Sequence, residues 1–149
     1  MTCVLALKFR DEQGPRLALQ VALFLETAFP AETPAASENR TGLYLESNGI
    51  FAFVRNLVRN GDDVRHPYIT PMNAERHDEL APAIVVTNGF DPLRDVGHAY
   101  AKKLAAAGNH LTYIHHPDLI HGFPQFTRSS QAAHRATMEL ADLIRQKIG

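Results

Sequence analysis

Two short stretches carry residue types suited to act together as an acid and a base. Asp91 opens DPLRDVGHAY, and His121 stands in LIHGF, 30 residues further on. A carboxylate that accepts a hydrogen bond from the Nδ1–H of an imidazole fixes the tautomer of the ring and stabilises the imidazolium. Nε2 can then take a proton from a hydroxyl or water. The same residues have structural uses, because an aspartate before a proline commonly caps a helix and a histidine can close a loop. The residue types alone leave both interpretations open.

The chain around the pair alternates between strand and helix signals. The run AIVVTNG, Ala83–Gly89, places four β-branched residues together and is the strongest strand signal. HLTYIHH, His110–His116, predicts a second strand that Pro117 closes. Between them a helical pattern begins near Pro92 and ends at Gly108. This alternation predicts a right-handed parallel α/β sheet.

The predicted sheet brings the acid and the base to one edge. Asp91 follows the first of these strands and His121 follows the second. Loops beyond the carboxyl ends of parallel strands carry the chemistry of such sheets, and neighbouring strands lie only about 5 Å apart. We therefore expect a hydrogen bond between the two side chains.

The first half of the chain predicts a helix and a buried strand. MTCVLALKFRDEQGPR has the pattern of the end of a helix, with Gly14 and Pro15 as its stop. LALQVALFL, Leu17–Leu25, is a nearly unbroken apolar run, which is typical of a strand buried on both faces. From Glu26 to Asn48 the prolines and small polar residues predict a loop with one helical turn.

Two more helices are predicted from apolar stripes. ESNGIFAFVRNLVRNG has helical spacing, with Ser47 or Asn48 as its cap and Gly61 as its terminator. The C-terminal helix is capped by Ser129 or Ser130. Its stripe consists of Ala133, Ala136, Met138, Leu140, Leu143 and Ile144.

Composition favours one small globular domain over residues 1–149. A formal charge of −1, with 21% charged residues, argues against a nucleic-acid partner. The only cysteine, Cys3, excludes an internal disulfide and favours a cytoplasmic protein, although a periplasmic protein without disulfides has the same signature. The apolar run Met1–Leu7 is too short to span a bilayer and lacks the features of a signal peptide.

The residues of these motifs resemble those of a known family. TNGFDPLRDVGHAYAKKLAAAG and HPDLIHGF are similar to the C-terminal part of hormone-sensitive-lipase-type esterases, a branch of the α/β-hydrolase superfamily. The resemblance implies that Asp91 is the acid and His121 the base of a catalytic triad, and that Asp95 is structural. LALKFRDEQGPRLALQVALFL looks like the helix after the nucleophile and the next strand, and HPYITPM like a D-P-Y-x-S-P segment. LFLETAF lacks the proline that is common in the family at this place. The implied fold is a partial α/β-hydrolase fold of about three parallel strands flanked by helices.

The nucleophile of that triad is missing from the sequence. The family order is Ser, Asp, His, with the serine in a Gly-x-Ser-x-Gly elbow between a strand and a helix. The four serines, none of them in such an elbow, are Ser37, Ser47, Ser129 and Ser130. No His-Gly-Gly run is present to complete an oxyanion hole. We expect the serine to lie roughly half a dozen residues before Met1, and the chain alone to be an inactive portion of an esterase or lipase.

A partial sheet also predicts a partner. The complete fold has about eight strands, so the strand Leu17–Leu25 would expose an apolar edge that proteins rarely leave open. A homodimer or a partner chain is expected to cover it. The substrate class is a small-molecule or lipid ester if a nucleophile-bearing segment completes the site. The alternative is a non-catalytic interaction module that binds through this edge.

No cofactor or metal ion is expected. His115 and His116 are consecutive on a strand and point to opposite faces, so they do not ligate one ion together. Cys3 lies inside a helix without a basic neighbour and is expected to be a small buried apolar residue. Two further pairs of residues each have a structural and a functional interpretation. Arg55 and Arg59 form a solvated helix face or bind substrate, and Phe51 and Phe53 pack in the core or line an acyl pocket.

Overall fold

Three parallel strands form the sheet in the part of the chain that the structure describes. The computed structural model describes residues 1–29, 32–58 and 63–149. Its strands are β1 (Gln20–Leu23), β2 (Ala83–Phe90) and β3 (Leu111–Ile120), and they lie in the order β1-β2-β3. In register, Val86 is level with Leu23 on one side and with Ile114 on the other. The predicted fold class, a partial parallel α/β sheet with flanking helices, is confirmed.

Five helices surround this sheet in the described ranges. They are α1 (Thr2–Asp11), α2 (Pro34–Glu38), α3 (Ser47–Leu57), α4 (Arg94–Ala106) and α5 (Gln131–Ile148). Two short 3₁₀ helices span Pro71–Asn73 and Phe123–Phe126. Across the described ranges we find no helix with the length and apolar character needed to cross a lipid bilayer.

The central strand β2 belongs to two hydrophobic cores, one on each face of the sheet. Val85 packs with Leu7 of α1 and Leu104 of α4, while Ile84 packs with Leu140 of α5. Alternate side chains of a strand point to opposite faces, so an unbroken run of apolar residues suits a strand covered on both sides. This is why the run after Pro82 gave the strongest strand signal.

The strand β1 is shorter than predicted. Leu17–Leu25 was expected to be extended throughout, but only Gln20–Leu23 pairs with β2. The ladder starts where β2 starts, at Ala83, and it ends because Phe24 adopts a positive φ of 53° and turns the chain away.

The residues that cap the helices agree only in part with those predicted from the sequence. Ser130 caps α5 as predicted, and its hydroxyl accepts a hydrogen bond of 3.2 Å from the Ala133 N–H. The capping position of α3 is Glu46, and neither Ser47 nor Asn48 fills it. The Ser47 hydroxyl instead donates to the Ala36 carbonyl at 2.6 Å, which ties α3 to α2.

Two other sequence expectations concern single residues. Met138, which was placed on the buried stripe of α5, is 48% exposed, because the buried side of that helix runs through Ala133, Ala136 and Leu140. Gly61, the predicted terminator of α3, lies outside the described residues.

Strand β3 passes through Pro117 instead of ending there. Among the described strands, β3 pairs with β2 alone, and its other edge is free. At a free edge, the N–H that a proline lacks costs no hydrogen bond of the sheet. The register shifts at this place: Asn88 is level with His116, whereas Phe90 is level with Ile120. The extra residues of β3 form a bulge that changes the direction of the chain just before His121.

Gly89 makes this bulge possible. A Cβ atom on Gly89 would stand 1.9 Å from the carbonyl oxygen of Pro117, a backbone atom that has no freedom to move aside. Glycine is therefore required by close backbone approach rather than by a positive φ.

We predict that Gly89→Ala lowers the free energy of unfolding by about 2–3 kcal/mol, because the added methyl group forces β2 and β3 apart. Urea denaturation followed by circular dichroism measures this. The matched control is Gly49→Ala in α3, where a Cβ meets nothing within 4 Å. It should leave stability unchanged or raise it by up to about 1 kcal/mol. Equal stabilities for the two variants would contradict the role assigned to Gly89.

Candidate active site

The structure brings the two predicted site residues together. The Nδ1 atom of His121 lies 3.0 Å from Oδ2 of Asp91. The Asp91 side chain is fully buried, whereas 22% of the His121 side chain is exposed. The imidazole therefore contacts a water-free carboxylate on one side and remains accessible on the other. This is the arrangement in which a carboxylate orients a proton acceptor.

Asp91 also has a structural role, although it is not the helix cap that the sequence suggested as an alternative, because Leu93 occupies the capping position of α4. Its second oxygen, Oδ1, accepts a hydrogen bond of 2.9 Å from the Leu93 N–H, and its carbonyl accepts one of 3.1 Å from the Arg94 N–H. These bonds hold the turn that starts α4 at Arg94. One carboxylate thus organises the start of a helix and positions the histidine, so a structural and a functional role of this aspartate are compatible.

Backbone contacts fix the position of His121. Its N–H donates to the Phe90 carbonyl at 3.3 Å, directly after the bulge, and the next residue, Gly122, has a positive φ of 67°. The side chain of Asn88, buried in β2, donates to the Ile120 carbonyl at 2.8 Å. The imidazole packs against the ring of Phe24, with ring centroids 5.1 Å apart. Strands β2 and β3 and the residue that follows β1 therefore all contribute to holding His121 in place.

Asp95 makes structural contacts, as the resemblance implied. Its Oδ2 accepts a hydrogen bond of 2.8 Å from the Ala35 N–H, and its Oδ1 accepts one of 2.9 Å from Nε of Arg94. Partial burial alone would raise its pKa, but these hydrogen bonds and the charge of Arg94 hold the pKa of Asp95 below its usual range. The contacts fasten α2 to α4 close to the acid.

An apolar cavity of about 540 Å³ opens beside His121. Helix α3 provides its outer wall with Ile50, Phe53 and Val54, and Leu93 borders it from the start of α4. Of the two places considered for Phe53, the core is excluded, because its side chain is 67% exposed and lines this cavity. Nothing is described of the Phe51 side chain. The site therefore combines a positioned base with space for an apolar group.

Sequence reasoning missed Glu26, which lines the same cavity as His121. Both of its carboxylate oxygens are buried, and neither forms a hydrogen bond with the part of the chain that the structure describes. Burial raises the pKa of Glu26 to about 7, the nearby Ala28 N–H partly offsets this rise, and the negative charge of Asp91 adds to it. The available signal was an acidic residue directly after an apolar strand run, in LFLETAF.

Two further candidates show no sign of catalytic use. Cys3 is buried in α1, and burial raises the pKa of its thiol to about 11, which disfavours the reactive thiolate. Arg55 is exposed on α3, in keeping with a solvated helix face, whereas Arg59 lies outside the described residues.

The consecutive histidines of β3 make unrelated contacts. Nδ1 of His115 lies 3.0 Å from the Thr87 hydroxyl, whereas the ring of His116 packs against Phe123. Within residues 1–29, 32–58 and 63–149, no three metal-ligating side chains cluster closely enough to hold an ion.

None of the four serines contacts His121 through a hydrogen bond in the described part of the structure. Ser47 donates to Ala36 and Ser130 caps α5, as described above. The Ser129 hydroxyl donates to the Phe126 carbonyl at 3.3 Å, and Ser37 is exposed on α2. The acid–base pair therefore has no nucleophilic hydroxyl partner among these residues.

Comparison with known proteins identifies a family and several enzymes that the chain is similar to. The model of a family described by its alpha/beta hydrolase fold matches residues 1–125. The carboxylic ester hydrolase LipN of Mycobacterium tuberculosis is 36% identical over 139 residues, which cover 93% of the chain and 37% of LipN. The carboxylesterase NlhH of the same organism is 33% identical over 141 residues, which cover 92% of the chain and 44% of NlhH. The chain thus spans about two fifths of the length of these relatives.

Solved structures show the same partial coverage. An alpha/beta hydrolase enzyme from the metagenome of Lake Arreo superposes with a TM-score of 0.85 at 31% identity, covering 92% of the chain and 43% of that enzyme. A thermostable esterase from Pseudomonas putida superposes with a TM-score of 0.85 at 33% identity, covering 93% of the chain and 44% of the esterase.

We predict that the buried carboxylate of Glu26 destabilises the fold in a pH-dependent manner. Its pKa rises from 4.5 to about 7 on folding, so the folded state holds the proton more tightly and wild-type stability falls as the pH rises from about 4.5 to 7. Glu26→Gln should therefore raise the free energy of unfolding by about 1–3 kcal/mol at pH 8 and by clearly less at pH 5.

Urea denaturation at both pH values tests this expectation. The exposed Glu75 provides the matched control, since Glu75→Gln should change stability by the same small amount at pH 5 and pH 8. A Glu26→Gln effect that is identical at the two pH values would show that the carboxylate is not held in an unfavourable environment.

Proposed function

The chain belongs to the α/β-hydrolase fold family, and on that premise we propose that it is the C-terminal portion of a carboxylic-ester hydrolase that supplies Asp91 and His121 to a Ser–Asp–His triad. The observation that supports this best is the contact of 3.0 Å between Nδ1 of His121 and the buried Asp91 carboxylate, beside an apolar cavity. The similarity to esterases such as LipN and NlhH gives the reaction class.

In this proposal each group has a defined proton-transfer role. Asp91 accepts a hydrogen bond from the Nδ1–H of His121, so that Nε2 is unprotonated and able to accept the proton of a serine hydroxyl. As the serine oxygen attacks the ester carbonyl, His121 becomes an imidazolium that Asp91 stabilises. His121 then gives the proton to the departing alcohol, and a water molecule releases the acid by the same sequence of steps.

The cavity supports a small-molecule or lipid ester as substrate. Its volume of about 540 Å³ and its apolar wall of Ile50, Phe53 and Val54 suit the hydrocarbon part of an ester. Because His121 lies at the same cavity, a chain bound there would hold its ester group near the base. Positioning of this kind contributes to catalysis by converting a bimolecular encounter into a unimolecular step.

The nucleophile of the proposed enzyme comes from a separate or upstream segment. None of the four serines stands in a Gly-x-Ser-x-Gly elbow, and none of them contacts His121 in the described residues. A triad without its nucleophile retains little rate enhancement. On this proposal the 149 residues alone are inactive.

We predict that the chain alone neither hydrolyses p-nitrophenyl butyrate above background nor reacts with a serine-directed fluorophosphonate. A fusion of the chain to the nucleophile-bearing portion of a related esterase should hydrolyse the ester. In that fusion, His121→Ala and Asp91→Asn should each lower kcat/KM by about 10³–10⁴-fold, because the hydroxyl then lacks a correctly oriented base.

His134→Ala, which removes an exposed histidine of α5, is the matched control and should leave the rate of the fusion unchanged. Fluorophosphonate labelling of any of the four serines would overturn the proposed division of the triad. A fusion that stays active after His121→Ala would overturn the role of the base.

The free edge of β1 favours a second candidate function, a non-catalytic interaction module. In the described residues, β1 pairs with β2 alone, and its partly buried Val21 and Leu23 continue the apolar surface to this edge. An unpaired apolar edge is a template for another strand. A second copy of the chain or a partner polypeptide is proposed to cover it in either function.

We predict that light scattering at micromolar concentration gives the mass of a dimer, since strand pairing removes the free edge from water. A clean monomer at this concentration would count against self-pairing. The coding sequence upstream of Met1 distinguishes the two functions. An in-frame Gly-x-Ser-x-Gly elbow there supports the esterase, and an unrelated sequence supports the interaction module.

A further inference from the structure

Glu26 lies in the wall of a mainly apolar cavity, in which Asn56 and His121 are the other polar side chains that the structure describes. Its neighbours in that wall include Phe29, Val54 and Leu93, and none of these side chains has a polar atom. Both Glu26 oxygens are buried, and no group of the described residues meets hydrogen-bond geometry with either of them. The nearby Ala28 N–H offsets only part of the effect of burial on the pKa of Glu26. A buried carboxylate without a donor is unfavourable, so a folded protein that contains one lacks a partner for it.

The missing partner must be a hydrogen-bond donor. A carboxylate has only acceptor sites when it is ionised, and it keeps acceptor capacity when it is protonated. The negative charge of Asp91 acts on Glu26 in the same direction as burial, so a second acceptor nearby would make the environment worse. Above the pKa of Glu26, which is about 7, the ionised carboxylate has only acceptor sites, and a hydroxyl or N–H group then relieves its unfavourable burial.

We propose that Glu26 is a specificity-determining residue, which selects substrates whose cavity-filling chain carries a hydroxyl or N–H donor over substrates with a plain alkyl chain. This inference rests on the proposed function, since it places the substrate chain in the cavity that Glu26 shares with His121. A site with a buried polar group discriminates strongly against a ligand that leaves that group unpaired.

The side chain is placed to make this contact. Glu26 borders the cavity and is itself only partly buried, although its oxygens are covered. Rotation about its side-chain bonds is fast compared with ligand binding and turns the carboxylate towards a donor in the cavity. Ile50 and Phe53 of α3 keep that space apolar, which strengthens a hydrogen bond formed there.

Binding of two isomeric probes to the complete chain tests the proposal without any need for hydrolysis. 1-Hexanol and methyl pentyl ether have the same heavy atoms, but only the alcohol donates a hydrogen bond. Affinities are measured from the chemical-shift changes of the backbone amides of Ile50 and Leu93 during titration. At about pH 8.5, where Glu26 is ionised, we expect wild type to bind 1-hexanol about tenfold more tightly than the ether, the ratio given by one hydrogen bond to a charged group.

Replacement of the carboxylate should abolish this preference. In Glu26→Met, which fills a similar volume with an apolar chain, the two probes should bind within about twofold of each other. Glu26→Gln keeps an acceptor and should retain part of the preference for the alcohol. Circular dichroism establishes that each variant is folded before it is titrated.

The outcomes separate this inference from the proposed esterase function. Equal affinities in wild type, or a preference that persists in Glu26→Met, would overturn the role of Glu26. Hydrolysis by the nucleophile-bearing fusion would still support the esterase. Conversely, an alcohol preference that depends on Glu26 would stand even if the fusion did not hydrolyse esters.

Discussion

The architecture of the site depends on one buried carboxylate that has two partners. Oδ1 of Asp91 accepts a hydrogen bond from the Leu93 N–H, and Oδ2 lies within hydrogen-bond distance of Nδ1 of His121. The first contact starts α4 and the second orients the base. Because the two oxygens of one carboxylate keep a fixed distance, the start of the helix and the position of the histidine are coupled. A shift of α4 along the sheet would move the imidazole with it.

The sheet converts this local coupling into a rigid placement. Asp91 follows the central strand β2, whose apolar side chains pack on both faces, and His121 follows β3 after a bulge. The bulge depends on the close approach between Gly89 and Pro117. Sites on well-packed strand ends hold their geometry better than sites on free loops. The acid and the base therefore lie on the best-supported part of the molecule.

The sequence predicted the elements whose signal is local and missed the features set by distant contacts. Strand β2, helix α4 and the approach of Asp91 to His121 follow from a β-branched run, a helical pattern and the parallel order of the strands. Pro117 was expected to end β3, but the strand continues through it. The local sequence does not show this, because the bulge that accommodates Pro117 depends on pairing with β2. Amphipathic spacing located α3 correctly but did not show that Phe53 would line a cavity instead of the core.

On the proposed function, recognition by Glu26 and proton transfer by His121 would be divided between separate elements. Its buried carboxylate breaks the rule that a buried polar group has a partner, and such violations concentrate at functional sites. The cavity wall that it shares with α3 holds no part of the acid–base pair except His121 itself. A change of the wall can therefore alter which ligands bind, while Asp91 and the sheet keep the base in place. This separation allows a carboxylate to remain unpaired 65 residues before Asp91 without disturbing the hydrogen bond on which the proposed chemistry depends.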